Sequence, residues 1–263
     1  MSTTRPGLRR IAAIARHDLR LLRTDPGFLV VFTVSPLAFM AFSTKASGAA
    51  LRIYLPGSDV GGAAFIVPGA AVVFSGFLVG NVGFGVFREH GWRTWERLRA
   101  SPLSSAELMA GKSLVPLLCI AFQLTALLGG GALLFGLEMR GSWAAFLLVA
   151  VALGVMNLAL GFMLLALCRS SMQLNAIASG GAMLVGGLAG AVTPVETLPG
   201  WAQAVAPVTP AYWAMRGFRA VTIDGGGLAD VALPLAVLAG FTVVFATIAL
   251  RRFDVEDAKI AWA

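Results

Sequence analysis

The stretch REHGWRTWERLRASPLSSAELMAGK, residues 88–112, decides how this chain is read. It holds five basic residues, Arg88, Arg93, Arg97, Arg99 and Lys112, and three acids, Glu89, Glu96 and Glu107. Residues 60–87 before it and 113–137 after it contain no Asp, Glu, Lys or Arg. Each of those runs is long enough to cross about 30 Å of hydrocarbon. The charged island therefore reads as a loop joining two membrane spans. A loop that only separates spans needs neither this length nor Trp92, Trp95 and Leu98. We read the segment as a handle gripped from outside the membrane.

Within it, residues 88–100 are expected to form a short amphipathic helix. Glu89 and Arg93 stand at i,i+4 and Arg93 and Glu96 at i,i+3, so their charges support one another. Gly91, Trp95 and Leu98 share another face. Ser101-Pro102 ends this helix, and Ser104-x-x-Glu107 is a capping box that starts a second. The second helix runs through Gly111-Lys112 into the next span. Ala110-Gly111-Lys112-Ser113 looks like the end of a phosphate-binding loop, but the motif needs glycine at 106, where this chain has Ala106. No strand precedes it, so nucleotide binding is not expected there.

The rest of the chain agrees with a membrane protein. Of 263 residues, 58% are hydrophobic and 13% charged, and the mean hydropathy is +0.83. Soluble domains carry about a quarter charged residues. Six stretches lack any charge and can span: 26–44, 60–87, 113–137, 141–168, 170–195 and 231–250. Residues 197–215 are also charge-free, but Pro199, Pro207 and Pro210 would leave unpaired backbone groups facing lipid. That run is expected to be a loop with short helices.

Placing the N-terminus in the cytoplasm puts fifteen basic residues inside: Arg5, Arg9, Arg10, Arg16, Arg20, Arg23, Arg88, Arg93, Arg97, Arg99, Lys112, Arg169, Arg251, Arg252 and Lys259. Five lie outside: Lys45, Arg52, Arg140, Arg216 and Arg219. This asymmetry satisfies the positive-inside rule, and it accounts for the net charge of +7 without invoking nucleic acid. Cys119 and Cys168 read as small core residues.

Ahead of the first span, Leu8, Ile11, Ile14, Ala15, Leu19, Leu21 and Leu22 share one helical face, and Arg9, Arg16, Arg20 and Arg23 the other. This is a helix lying in the membrane interface. Asp18 falls on its apolar face, either paired with a neighbouring arginine or touching a partner or another cytoplasmic loop. Asp25-Pro26 ends the helix. Gly76-x-x-x-Gly80 and Gly186-x-x-x-Gly190 let helices approach closely, within the chain or between copies. Asn81, Gln123, Asn157, Gln173 and Asn175 are polar groups inside spans, serving as helix–helix hydrogen bonds or lining a path.

The handle resembles the corresponding segment of type-2 ABC exporter permeases. The resemblance rests on Arg88-Glu89, then Trp95-Glu96-Arg97-Leu98-Arg99, Ser101-Pro102-Leu103-Ser104 and Gly111-Lys112, placed after the second span. Pro194-x-x-x-Leu198-Pro199-x-Trp201 resembles a second element of that family, after the fifth span. Residues 207–216, ending at Arg216, resemble a third, although Ala206 stands where the family has asparagine. The chain is most similar to the daunorubicin-resistance type of drug exporter subunit. Exporters of lipid-linked polysaccharide or teichoic-acid precursors share the architecture.

The resemblance implies one transmembrane permease domain over residues 1–263, all-α and embedded in a bacterial cytoplasmic membrane, with six transmembrane helices and both termini cytoplasmic. It implies a cytoplasmic interfacial helix at 1–25, a coupling loop at 88–112, and an extracytoplasmic loop with short helices at 193–230. The chain would have no nucleotide site, cofactor or metal of its own. ATP and Mg would sit on a separate ABC-type ATPase subunit, present in two copies, and a second permease copy or a sister permease would complete the complex. Arg88, Glu89, Arg93, Glu96, Arg97 and Arg99 would meet the ATPase, with Trp95, Leu98 and Pro102 shaping the coupling helix. Asn81, Phe84, Gln173, Asn175 and Met183 would line the substrate path. Pro194, Leu198, Pro199, Trp201, Pro210 and Arg216 would form the extracytoplasmic gate. A proton-coupled transporter is disfavoured, because all thirteen acids and both histidines lie outside the expected spans. A membrane enzyme would need paired acids or an activated nucleophile at membrane depth, and none is present. A passive channel or scaffold differs from the exporter in lacking ATP dependence.

Overall fold

The computed structural model describes residues 6–24, 26–54, 61–254 and 259. Arg5, Asp25 and Val60, used above for charge bias, helix termination and span limits, lie outside the described residues. Every regular element among the described residues is helical. In order these are α1 (Pro6–Thr24), α2 (Gly27–Tyr54), α3 (Ala63–Phe77), α4 (Val79–Gly91), α5 (Trp95–Arg99), α6 (Ser105–Phe135), α7 (Trp143–Leu167), α8 (Ser171–Leu188), α9 (Gly200–Val205), α10 (Pro210–Thr222) and α11 (Ala232–Arg252).

Five helical runs are long and apolar enough to cross a membrane: Gly27–Ile53, Ala63–Gly91, Ser105–Phe135, Trp143–Leu167 and Ala232–Arg252. The second run joins α3 and α4 across Leu78. The stretch expected as a fifth span, 170–195, forms α8, which is shorter and carries Gln173 and Asn175. It is not among the five. The first span continues past its expected end at residue 44. Lys45 and Arg52 lie within α2, because a long cationic side chain can reach the interface from inside a helix.

Two apolar clusters occupy opposite ends of the bundle. One gathers Ile14 of α1, Val86 and Phe87 of α4, Trp95, Leu108 of α6, Leu165 of α7, Leu174 of α8 and Ala249 of α11. The other gathers Met40 and Leu51 of α2, most of α3, the second half of α6, the first half of α7, Ala189, Met215 and Phe218 of α10, and Val231. The ends joined by the first cluster carry Arg88, Lys112, Arg169 and Arg251. We call this the charged end.

At the opposite end the proline-rich run forms short helices. One 3-10 turn covers Val195–Thr197 and another Ala206–Val208, flanking α9. Thr209 caps α10 by accepting from the Tyr212 amide. Thr222 donates to the Ala64 carbonyl at 2.9 Å, and Phe218 stacks edgewise on Phe146, so α10 is fixed to α3 and α7.

The small residues work inside the chain. A Cβ added at Gly76 would lie 2.9 Å from the Ala182 Cβ, and one at Gly80 would lie 2.4 Å from Asn175 Oδ1. The α3–α4 run thus touches α8 through its glycine face. Gly186 meets Val73 of α3, while Gly190 has φ +76° and turns the chain after α8. The tightest approach on this face is at Gly69, where a Cβ would stand 2.0 Å from the Ala191 carbonyl oxygen.

Gly69→Ala is therefore expected to destabilise the detergent-solubilised protein by about 1–3 kcal/mol, read as a lowered melting temperature. Gly129→Ala, in a helix interior with nothing within 4 Å, is expected to be neutral or to stabilise by up to about 1 kcal/mol. Equal effects at the two positions would contradict the packing assignment.

Candidate functional site

The handle is built in two pieces. Helix α4 ends at Gly91, and Arg93 takes a left-handed backbone (φ +56°) that separates it from α5. The single helix expected over 88–100 is thus broken at residues 92–94, and the charge pairing changes with it. Glu89 pairs with Lys112 instead of Arg93, and Glu96 pairs with Arg99 at 3.4 Å instead of with Arg93. The Ser104–Glu107 capping box forms as expected, with both reciprocal bonds present.

Beneath the handle lies a buried ionic cluster. Lys112 Nζ stands 2.9 Å from Asp18 Oδ1 and 2.9 Å from Glu89 Oε1. Asp18, Glu89 and Lys112 are 6%, 4% and 4% exposed. Thr94 Oγ1 donates to Glu89 Oε2 and, at 3.2 Å, to the Glu89 carbonyl, which seals the break after α4. His17 Nε2 approaches Glu89 at 3.9 Å. One ammonium thereby ties α1, α4 and α6 together. Asp18 therefore pairs with Lys112 of α6 rather than with a neighbouring arginine. Its position on the apolar face of α1 is explained, because that face packs on the first turns of α6, with Ile14 over Gly111. Arg10 adds a donation to the Pro102 carbonyl at 2.6 Å. His17, Asp18 and Glu89 bring three potential metal ligands together, but the Lys112 ammonium already bridges the two carboxylates.

Above this base, Trp95 is buried and stacked on His90 at 4.4 Å, and Leu98 packs into the same cluster. Arg93, Glu96, Arg97, Arg99 and Pro102 are exposed. Glu89, expected on the contact surface, is a correction: it is buried and engaged with Lys112 and Thr94. Arg88 is half-buried, its guanidinium over the rings of Trp92 (5.2 Å) and Phe84 (5.8 Å).

The five residues expected along a path are not brought together. Asn81 and Phe84 line a cavity between α1, α2, α4 and α6. Asn175 lies over Gly80, on the α8 side of α4, and donates to the Ser171 carbonyl. Gln173 closes the N-terminus of α8, its Oε1 accepting from the Arg169 amide. Met183 is exposed on α8. Gln123 and Asn157 are helix–helix bonds. Gln123 donates to the Phe32 and Phe74 carbonyls, and Asn157 donates to Ser75 Oγ.

At the opposite end, Pro194 and Arg216 line a polar cavity of about 380 Å³ with Tyr212 and Asp230. Arg219 is paired with Glu196, and Arg216 stacks on Trp213 at 5.3 Å. Leu198 and Pro210 are half-buried, while Pro199 and Trp201 are exposed.

A family model described as ABC-2 family transporter protein matches residues 28–251. The chain belongs to the ABC-2 transporter family. It is 26% identical over 266 residues to the daunorubicin resistance ABC transporter permease protein DrrB1 of Streptomyces coeruleorubidus, covering 94% of this chain and 88% of that protein. It is 28% identical over 160 residues to the probable multidrug ABC transporter permease YbhR of Escherichia coli K12. That match covers 60% of this chain and spans only 42% of the relative's length. This ABC-2 protein is a multi-pass membrane protein whose relatives are permeases.

Sequence reasoning missed Lys112 and Thr94 as functional supports. The signal was present: Asp18 on an apolar face, Glu89 at the end of a charge-free run and Lys112 at the start of another all had to find partners, since buried charges pair.

Breaking the cluster from one side is expected to be costly. Lys112→Met leaves two buried carboxylates without their cation, and should destabilise the protein by about 3–5 kcal/mol. The triple variant Asp18→Asn, Glu89→Gln, Lys112→Met removes all three charges and should recover most of that loss. Melting in detergent checks both. A single variant as stable as the parent would contradict the cluster.

Proposed function

We propose that this chain is the transmembrane subunit of an ATP-driven exporter that moves a hydrophobic or amphiphilic compound out of the cytoplasm or the inner leaflet. A separate ABC-type ATPase, in two copies, supplies ATP and Mg chemistry, and two permeases, identical or sister chains, form the pathway. The observation that carries this reading is the exposed ridge Glu96, Arg97 and Arg99, seated by buried Trp95 and anchored through Glu89 and Lys112 to three helices. A rigidly rooted charged ridge on an otherwise apolar bundle is suited to receive a push from a soluble partner. Arg93 and Pro102 flank it, Leu98 supports it, and Arg88 and Glu89 act from beneath rather than by contact.

The complex sits in a bacterial cytoplasmic membrane with the charged end inside. The positive-inside asymmetry supports that orientation. Helix α8 serves as the sixth span, because it runs from the charged-end cluster at Leu174 to the opposite cluster at Ala189. Both termini are then cytoplasmic. The run holding Pro194, Leu198, Pro199, Trp201, Pro210 and Arg216 closes the exit. The exposed face of α8, with Asn175 and Met183, faces the pathway between permeases. The transport step makes and breaks no covalent bond in this chain. Closure of the ATPase pair displaces α5, and the buried cluster passes that displacement to α1, α4 and α6 as one body.

Reversing Glu96 to Lys or Arg97 to Glu is expected to lower substrate-stimulated ATP hydrolysis and export by about tenfold or more, while folding is preserved, because rim charges act on association rather than on stability. Transport at the parental rate in folded variants would overturn the coupling assignment.

A further inference from the structure

The cavity between α1, α2, α4 and α6 has a chemistry that coupling does not use. It holds about 240 Å³ and is walled by Leu21, Leu22, Phe28, Val82, Val115 and Pro116. Asn81 and Arg88, two turns apart on α4, face it together with Phe84. Asn81 Nδ2 and Arg88 Nε are buried and have no hydrogen-bond partner. Among the described residues no carboxylate pairs with Arg88. The cavity's own acid, Asp18, is bound to Lys112. Two orphaned donors and an unmatched positive charge at the rim of an apolar chamber are complementary to an anion that carries a hydrocarbon chain.

We propose that this cavity binds one anionic phospholipid. Its phosphate accepts from Arg88 and Asn81, and one acyl chain lies against α1 and α6. The site is at the charged end, beside a helix whose opposite face exposes Arg9, Arg16, Arg20 and Arg23. Basic residues of that kind concentrate anionic lipid at a membrane surface. A lipid there touches the residue next to Glu89, so its occupancy bears on the root of the handle. The inference rests on the membrane placement of the chain and not on ATP-driven export.

The full chain, purified in neutral detergent, is titrated with phosphatidylglycerol, phosphatidylcholine and glycerol 3-phosphate, and bound species are counted by native mass spectrometry. One phosphatidylglycerol is expected to bind in preference to phosphatidylcholine. Its affinity should fall about tenfold in Arg88→Gln and in Asn81→Leu, as for loss of one charge-assisted hydrogen bond. Arg20→Gln should change it little. Asn81→Leu leaves every charge in place and keeps the test open if Arg88→Gln does not fold. Equal binding of phosphatidylcholine, or unchanged phosphatidylglycerol affinity in a folded Arg88 or Asn81 variant, would overturn the site. Glycerol 3-phosphate binding as tightly as the lipid would overturn the lipid assignment in favour of a soluble anion.

Discussion

An ammonium buried between two carboxylates imposes a geometric demand that few other contacts do. Each charge has left water, and none can leave its partners without exposing the others to an apolar surround. Lys112, Asp18 and Glu89 come from α6, α1 and α4, so this demand fixes the interfacial helix and the facing ends of two spans as a unit. Thr94 extends the unit across the break after α4. Replacing such a cluster by matched apolar groups is often neutral in stability. We therefore regard its role as positional: it sets where α5 stands relative to α1, α4 and α6.

The rest of the bundle is held by close helix contacts. Glycines on α3 and α4 bring α8 to within backbone-to-side-chain contact, and Gly161 does the same for α7 against Val82. Without a strong hydrophobic drive between helices in lipid, close approach and a few hydrogen bonds such as Asn157 to Ser75 hold the helices in register. The short helices at the opposite end are fixed by Thr222, Phe218 and the Glu196–Arg219 pair, so both ends are braced while the middle remains apolar.

Much of this was legible in the sequence. Five of the six charge-free runs marked long apolar helices, prolines marked the short helices, and the Ser104–Glu107 box marked the start of α6. What failed had physical causes. Absence of charge does not fix helix length: α2 runs on through Lys45 and Arg52 and α4 through Arg88 and Glu89, while the charge-free run 170–195 gave only the shorter α8. Spacing rules assume one continuous helix. The left-handed Arg93 broke that assumption and gave Glu89 to Lys112. Asn81, Gln173 and Asn175 are alike in sequence, but one lines a cavity, one caps a helix and one bonds its own helix, because each direction depends on neighbours far away in the chain. Periodicity placed Asp18 on an apolar face and could not name Lys112, 94 residues on, as its partner.

We propose that the exposed ridge of α5 is where an ATPase subunit binds. The most direct test places a photo-crosslinking amino acid at Arg97, and separately at exposed Leu133 near the other end of α6, in the native membrane, and identifies the adducts by mass spectrometry. An adduct is expected at position 97 with a soluble protein bearing a nucleotide-binding motif, and none with such a protein at 133. A folded chain that crosslinks at 97 only to lipid or to itself would contradict it.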